Sequence, residues 1–430
     1  MWDDLILGGG IAGLVLAFRR RMAGHRVLVL EGSDRVGGLV KTRRTDGLLF
    51  EQGPQTFQVT PELCRLVGEL GLANEVVAPE ATAARRLILT SQGLVALPHD
   101  LPGALRSPLF RRRDLARLLL EPVRPRVQMP ASVHDFVAHR LGPNIADPLI
   151  DAFVAGVFGG DPKALDVASA FPDWVAWEQA RGSMIRGARE ALPKRRAALP
   201  AWAPRTMFSL RGGAQSLVDR LEVVLGDDAL VDQPVVGLTR VGEHWKATTP
   251  EAEFEGRRVW VCLPPIAASR LLPELAPSLQ LPRAPIAAIT LVYPAENVPP
   301  AHGFGWLAPS SVRRDVLGCL WVSSAFPGHA PGHAMFRVMM GGARAPEMLE
   351  WDDKALVAHA RAVLADVQQV HVTPSHVDIA TYPVGIPQYP VGWQHTLTRL
   401  QSAHPGLQFM GWSTTGIGLS HIARAAEAAR

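Results

Sequence analysis

The chain has 430 residues, 47% of them hydrophobic, and 44 Lys and Arg against 40 Asp and Glu, a net charge of +4. That length supports large buried cores and two or three domains, and so slight a basic excess makes no case for a nucleic-acid partner. Cys64, Cys262 and Cys319 are far apart with no CxxC pair, which argues against a zinc or iron–sulfur site and for core thiols in a reducing compartment.

Met1 leads straight into "WDDLILGGG" with no apolar leader, and no 18 uncharged apolar residues run together; neither secretion nor a spanning helix is expected. The apolar run Leu5 to Leu7 predicts a strand. It feeds Gly8, Gly10, Ile11, Ala12 and Gly13, and an apolar-periodic helix follows to about Met22. This order suits a pyrophosphate held at a helix N-terminus, with glycines for the turn, the approach of the phosphates and the packing of helix on strand. A second strand, "RVLVLE", ends at Glu31, where a carboxylate can accept from both ribose hydroxyls of an adenine dinucleotide. Gly32, Arg35, Gly37 and Gly38 follow directly and offer a second clamp on the same pyrophosphate. A nicotinamide site seldom needs that clamp, and the chain has a single fingerprint, so FAD is the expected cofactor.

"GLLFEQGPQTF" predicts a strand and turn returning to the cofactor, residues 61 to 73 a short helix, and 85 to 97 a two-stranded element around Gly93. From 101 to 205 the chain becomes proline-punctuated and helical, and "NIADPLIDAFVAGVFGGDP" reads as one long apolar helix capped by glycine. Residues 106 to 126 hold seven arginines and two acids among several leucines, a composition suited to anionic headgroups and acyl chains. The cofactor domain resumes with "FSLRGGAQSLVDRLEVVLG" and the buried strand "GRRVWVCLP". Residues 284 to 345 and 376 to 390 are strand-rich, with a helix at 353 to 368. After "LQFMGW", the stretch "TTGIGLSHIARAAEAA" again leads glycines into a helix N-terminus, here on the flavin side.

The expected fold is therefore α/β with α+β insertions: a split Rossmann-like FAD-binding domain (1–84, 206–283 and 401–430), a strand-rich substrate-binding domain (284–400), and a substrate-side segment with a mainly helical, membrane-binding insertion (85–205).

The segments "GGGIAGL", "EGSDRVGG", "FEQGPQTF", "GVFGGDP" followed by "AFP", "LRGGAQSLVDRL", "MMGGAR", "GIPQY" and "TGIGLSHIARAA" together span nearly the whole chain. In them the sequence resembles the flavin-dependent protoporphyrinogen and coproporphyrinogen oxidases, within the wider amine oxidase-like FAD fold. The resemblance implies oxidation of a porphyrinogen to a porphyrin in haem or related tetrapyrrole biosynthesis, with dioxygen reduced to hydrogen peroxide. It implies FAD contacts at Gly8, Gly10, Gly13, Glu31, Arg35, Gly37, Gly38, Gly53, Pro54, Val235, Gly411, Trp412, Gly416, Gly418 and Leu419. The family arginine that meets a substrate carboxylate falls on Arg86, beside an equally suitable Arg85, and Arg344 is a second candidate. Gln55, Trp412, Ser420 and His421 depart from the residues usual in the family, and an amine oxidase, a desaturase or a non-catalytic flavin- or porphyrin-binding protein are the alternatives.

Flavin carries such chemistry and the protein positions and polarises, so no catalytic side chain is expected. A flat apolar ring bearing carboxylates calls for a slot of leucine, phenylalanine and methionine with arginines at its mouth. Pro387 and Tyr389 are expected to shape a rigid loop near the flavin, with Gln55 and His421 beside the pocket. No HxH or HExxH spacing points to a metal. Expected partners are a tetrapyrrole, dioxygen, an anionic membrane surface and a second copy in a homodimer. The expected location is cytoplasmic, peripheral on the inner face of the cell membrane.

Overall fold

The computed structural model describes residues 1–411 and 414–430. The strand Trp2–Leu7 pairs in parallel with Val27–Leu30 on one side and Glu253–Val261 on the other. Ala229–Leu230 and Leu407–Phe409 add further parallel strands, and His244–Thr248 and Gly237–Val241 continue the sheet antiparallel. Strands covered on both faces must be apolar throughout: Ile6 and Val29 join the core under the helices Ile11–Met22, Gln215–Leu225 and Leu419–Ala428, while Leu5, Leu7 and Leu28 face a second core with Leu272, Leu279 and Leu400.

A second seven-stranded sheet runs in the order His376–Pro387, Arg283–Pro294, His333–Gly341, Gly318–Trp321, Gly305–Leu307, Arg86–Thr90, Gly93–Ala96. Ala287, Ile289, Leu291, Val338, Trp306 and Leu87 alternate onto the face covered by the helix Asp353–Gln368. The opposite face meets the cofactor pieces, where Val292 and Met335 pack on Leu48 and Phe50 of the strand Leu48–Glu51.

Two expectations change. The long apolar helix is interrupted: Pro143–Ile145 passes into a π-helical turn over Ala146–Ile150 before Asp151–Phe158 resumes as α-helix. Pro148 has no N–H to give an i→i−4 bond, and the wider turn absorbs it. "GIPQY" is not a loop either. The strand His376–Pro387 runs through Pro387, which pairs with Arg283, and Gly385 at φ +60° sits where an added Cβ would lie 1.9 Å from the Ala284 carbonyl oxygen. Tyr389 then drops, 1% exposed, into the core of the helical region with Phe136 and Phe158, because the chain leaving the sheet docks there.

Candidate active site

Gly10 opens the helix Ile11–Met22 with no side-chain cap, and among the described residues a Cβ on it would meet nothing within 4 Å, so no described side chain crowds the start of the helix. A Cβ on Gly13 would fall 2.0 Å from the Gly8 carbonyl oxygen; the helix and the turn at Gly8 (φ +102°) touch through backbone alone. At the end of its strand, Glu31 accepts from the Gly9 N–H at 2.7 Å and the Ser33 N–H at 2.9 Å. Val235 lies in the neighbouring segment, held by the Gln233 N–H to the Glu31 carbonyl at 2.8 Å and by Pro234 against Gly32.

The second glycine loop docks on the first through the Gly37 N–H to the Gly9 carbonyl at 2.8 Å. Arg35 donates to the carbonyls of Val36 (2.7 Å), Gly38 (2.9 Å) and Val40 (3.2 Å), which braces the loop that carries Gly37 and Gly38. Gly53, followed by Pro54, packs its Cα against the Leu39 carbonyl, where a Cβ would lie at 2.5 Å.

The C-terminal piece closes this group. Gly411, at φ +124°, faces Ala12 across 3.7 Å from its ideal Cβ position, and the helix Leu419–Ala428, with Gly418 as an uncapped N-cap, lies along Ile11–Met22. His421 presses on Gly416, and burial, then the charge of Arg424, lowers its pKa, favouring the neutral ring. Ser420 is buried at the start of the same helix. Trp412 lies outside the described residues. A helix N-terminus without a side-chain cap, a Gly10 that no described residue crowds and the Glu31 carboxylate fixed by Gly9 and Ser33 together suit an adenine dinucleotide such as FAD.

Of the two arginines expected at the substrate, Arg86 is exposed at the start of its strand in the second sheet, stacked 5.4 Å from the Phe304 ring centroid. Arg344 is withdrawn. Its guanidinium donates to the Ala308 and Asp151 carbonyls at 2.7 and 2.8 Å and pairs with the Asp151 carboxylate at 2.9 Å, so it joins sheet to helix with its side chain 5% exposed. Burial lowers its pKa while Asp151 opposes the shift.

Where the loop 53–55 meets the second sheet, the structure gathers polar residues that sequence reasoning missed. Glu51, 3% exposed, accepts from the Ala214 N–H at 2.7 Å and from Thr42 at 2.8 Å, yet burial pushes its carboxyl up to about 7. Arg337 and Tyr382 stand opposite on the sheet, Arg337 reaching the Gln55 side-chain oxygen at 3.3 Å. A lone arginine inside "AMFRVMMGG" was the available signal. Gln388, from "GIPQY", donates to the Phe158 carbonyl at 2.9 Å and ties the sheet to the helical region.

The cysteines are free, Cys64 and Cys319 buried and Cys262 partly so, and burial pushes the thiols of Cys64 and Cys262 up to about 11 and 12. Among the described residues no group of three or more His, Cys, Asp or Glu side chains is arranged to hold a metal, and no helix is long and apolar enough to cross a membrane.

A family model described as flavin containing amine oxidoreductase matches residues 11–430. The chain is 35% identical over 368 residues to protoporphyrinogen oxidase of Macaca fascicularis, covering 79% of this chain and 77% of that protein, and 34% identical over the same length and shares to the Homo sapiens enzyme. Coproporphyrinogen III oxidase of Bacillus subtilis (strain 168) is 25% identical over 448 residues, 96% of this chain and 94% of that one. Among solved structures, a protein from Exiguobacterium sp. 255-15 provisionally described as a protoporphyrinogen oxidase superposes over 100% of this chain and 97% of its own with a TM-score of 0.82 at 23% identity. Cyclohexylamine oxidase from Brevibacterium oxydans gives 0.72 at 18% over the same shares, which is likeness of fold alone.

Proposed function

The chain belongs to the flavin-containing amine oxidoreductase family, and on that footing we propose that it oxidises a porphyrinogen, protoporphyrinogen IX or coproporphyrinogen III, to the porphyrin with FAD as cofactor and dioxygen as final acceptor. What carries the reading is the extent of the likeness to protoporphyrinogen oxidases, 35% identity over 79% of the chain. The geometry suits it. On the cofactor-side face of the second sheet, the half-buried Met339 and Leu320 offer an apolar floor for a macrocycle, and the exposed Arg86 stands at the start of its strand for a carboxylate.

Six electrons and six protons leave the porphyrinogen in three two-electron steps, and three dioxygen molecules become three of hydrogen peroxide. FAD, when bound, supplies the two-electron acceptor. Gly8, Gly10, Gly13, Gly37, Gly38, Gly53, Gly411 and Gly418 would bring backbone to the cofactor, Glu31 would take the ribose and Val235 would lie beside the adenine end. The protein's own work is orientation: Arg86 fixes the ring's carboxylate, and the sheet face holds the reacting carbons against one side of the site while excluding water. The exposed arginines and leucines of 105–123 support peripheral attachment of the protein to an anionic membrane surface from the cytoplasmic side.

The test is anaerobic stopped-flow mixing of the FAD-loaded protein with each porphyrinogen, following the oxidised flavin band. Rapid bleaching is expected with at least one. Protein that holds oxidised FAD, is reduced by dithionite and bleaches with neither would sink the assignment.

A further inference from the structure

Arg337 lies in the middle of an apolar strand, 5% exposed. Among the described residues it forms no ion pair. Asp378 faces it but is held by Arg43 at 2.8 Å, and Glu51 is turned to Ala214 and Thr42. Among the described residues its two hydrogen bonds, to the Gln55 side chain at 3.3 Å and the Gly53 carbonyl at 3.2 Å, are long, and its Nε has no partner. Two more buried donors nearby are also unmet by any described residue: the Gln55 Nε2, and the Tyr382 hydroxyl, which lies beside the guanidinium without a hydrogen bond of good geometry. A buried cation without a counter-charge is strongly unfavourable, and three unmet donors around it describe the complement of a carboxylate.

The register places this cluster relative to Arg86. Arg86 pairs with Gly305, Gly305 with Leu320, and Leu320 with Arg337. Leu87, Trp306, Cys319 and Phe336, the neighbours in sequence, all face the opposite core. Both arginines therefore stand on the cofactor-side face in one cross-strand row, three strand spacings or roughly 14 Å apart, with glycine and leucine between them.

We infer that Arg337, with Gln55 and Tyr382, forms a second carboxylate subsite at the inner end of the substrate face, opposite Arg86, and so sets the preference for substrates carrying acids at both ends of the row. The inference rests on the porphyrinogen reading. A carboxylate arriving there exchanges the two long bonds of Arg337 for short charged ones and meets the amide and the hydroxyl; an ester cannot replace the missing charge.

The experiment is fluorescence titration of the FAD-loaded enzyme with protoporphyrin IX and with its dimethyl ester, for wild type, R337M, R337K and Y382F. Wild type should favour the diacid. R337M should weaken diacid binding about tenfold or more and leave ester binding unchanged. R337K should restore part of the preference, and Y382F should lower it a few-fold, which keeps the test available if R337M folds poorly. Diacid affinity in R337M within twofold of wild type, or equal losses for diacid and ester, would overturn the subsite. So would an R337M enzyme that sheds FAD or shifts its flavin spectrum while keeping the acid preference, since the donors would then serve the cofactor. Wild type that binds neither form would remove the porphyrinogen reading and the subsite together, whereas an intact acid preference in R337M beside normal flavin bleaching removes the subsite alone.

Discussion

At the scale of single residues, Glu51 makes the protein's stability depend on pH in a direction opposite to most carboxylates. Its hydrogen bonds from Ala214 and Thr42 favour the charged form, but burial outweighs them and raises the carboxyl from its ordinary 4.5 to about 7. The folded chain therefore keeps a proton that the unfolded chain has released. The contribution is complete below pH 4.5, falls as pH climbs toward 7 and is gone above it, a span of about 3 kcal/mol. Glu51→Gln keeps an acceptor for Ala214 and cannot ionise. Urea unfolding at pH 5 and pH 8 should show the wild-type loss between them reduced in E51Q, and an identical pH slope in both proteins would refute the account. Gly13 supports a second expectation. A methyl 2.0 Å from the Gly8 carbonyl forces helix and turn apart, so Gly13→Ala should cost several kcal/mol or purify without flavin, read from the ratio of 450 nm to 280 nm absorbance.

At the scale of elements, the helical region is keyed by a buried charge cluster. Arg140 donates to the Glu121 carboxylate through Nε at 2.7 Å, to the carbonyls of Pro125 and Gly182 at 3.0 and 2.9 Å, and lies 3.5 Å from Glu178. Burial raises the pKa of Glu121, but hydrogen bonds from Ser183, Arg140 and the Met184 N–H more than reverse it and hold the carboxyl below its usual range. Arg140→Met leaves two acids without their cation and should cost about 3–5 kcal/mol. Hydrogen exchange should rise across Val133–Arg140 and Pro172–Arg181 and stay unchanged in Trp2–Leu7; a uniform rise would show that the region does not open by itself. The same scale separates what sequence made legible from what it hid. The glycine turns, Glu31 and the helix Asp353–Gln368 were readable because their chemistry is local: spacing, caps and periodicity. Arg337 and Tyr382 were not, since only the pairing of both their strands with Arg283–Pro294, through Thr290 and Ile286, brings them to one face. Arg344 looked like a free cation because its partner, Asp151, comes from a helix nearly two hundred residues earlier. The π-turn turned on Pro148, a breaker visible in sequence but outweighed by its apolar neighbours.

At the scale of the whole molecule, the proposed attachment to a membrane would use the face built by residues 105–123. Arg106, Arg111, Arg112 and Arg113 are exposed together, and within the same stretch Leu105, Leu119, Leu120 and Val123 are 56%, 77%, 57% and 73% exposed. The helix Arg112–Leu120 is anchored from beneath by Leu115 and by Asp114, which accepts from Asn144 at 2.8 Å, so its outer side is presented rigidly. Four arginines near anionic headgroups contribute about 1 kcal/mol each, and three or four apolar side chains partly inserted add a similar amount. Either term alone gives weak, reversible contact; their sum gives micromolar attachment or tighter. Protoporphyrinogen IX, with two carboxylates on a largely apolar macrocycle, is amphiphilic, so an enzyme held at the bilayer would meet it where it partitions. Vesicles containing phosphatidylserine should therefore pull the protein down, with pure phosphatidylcholine vesicles and 0.5 M salt both releasing most of it. Leu119→Glu with Leu120→Glu should abolish the binding while leaving flavin content intact, because neither side chain is part of a core. Binding that survives the double substitution, or an absence of binding to anionic vesicles by the wild type, would return this face to the role of a solvated helical surface.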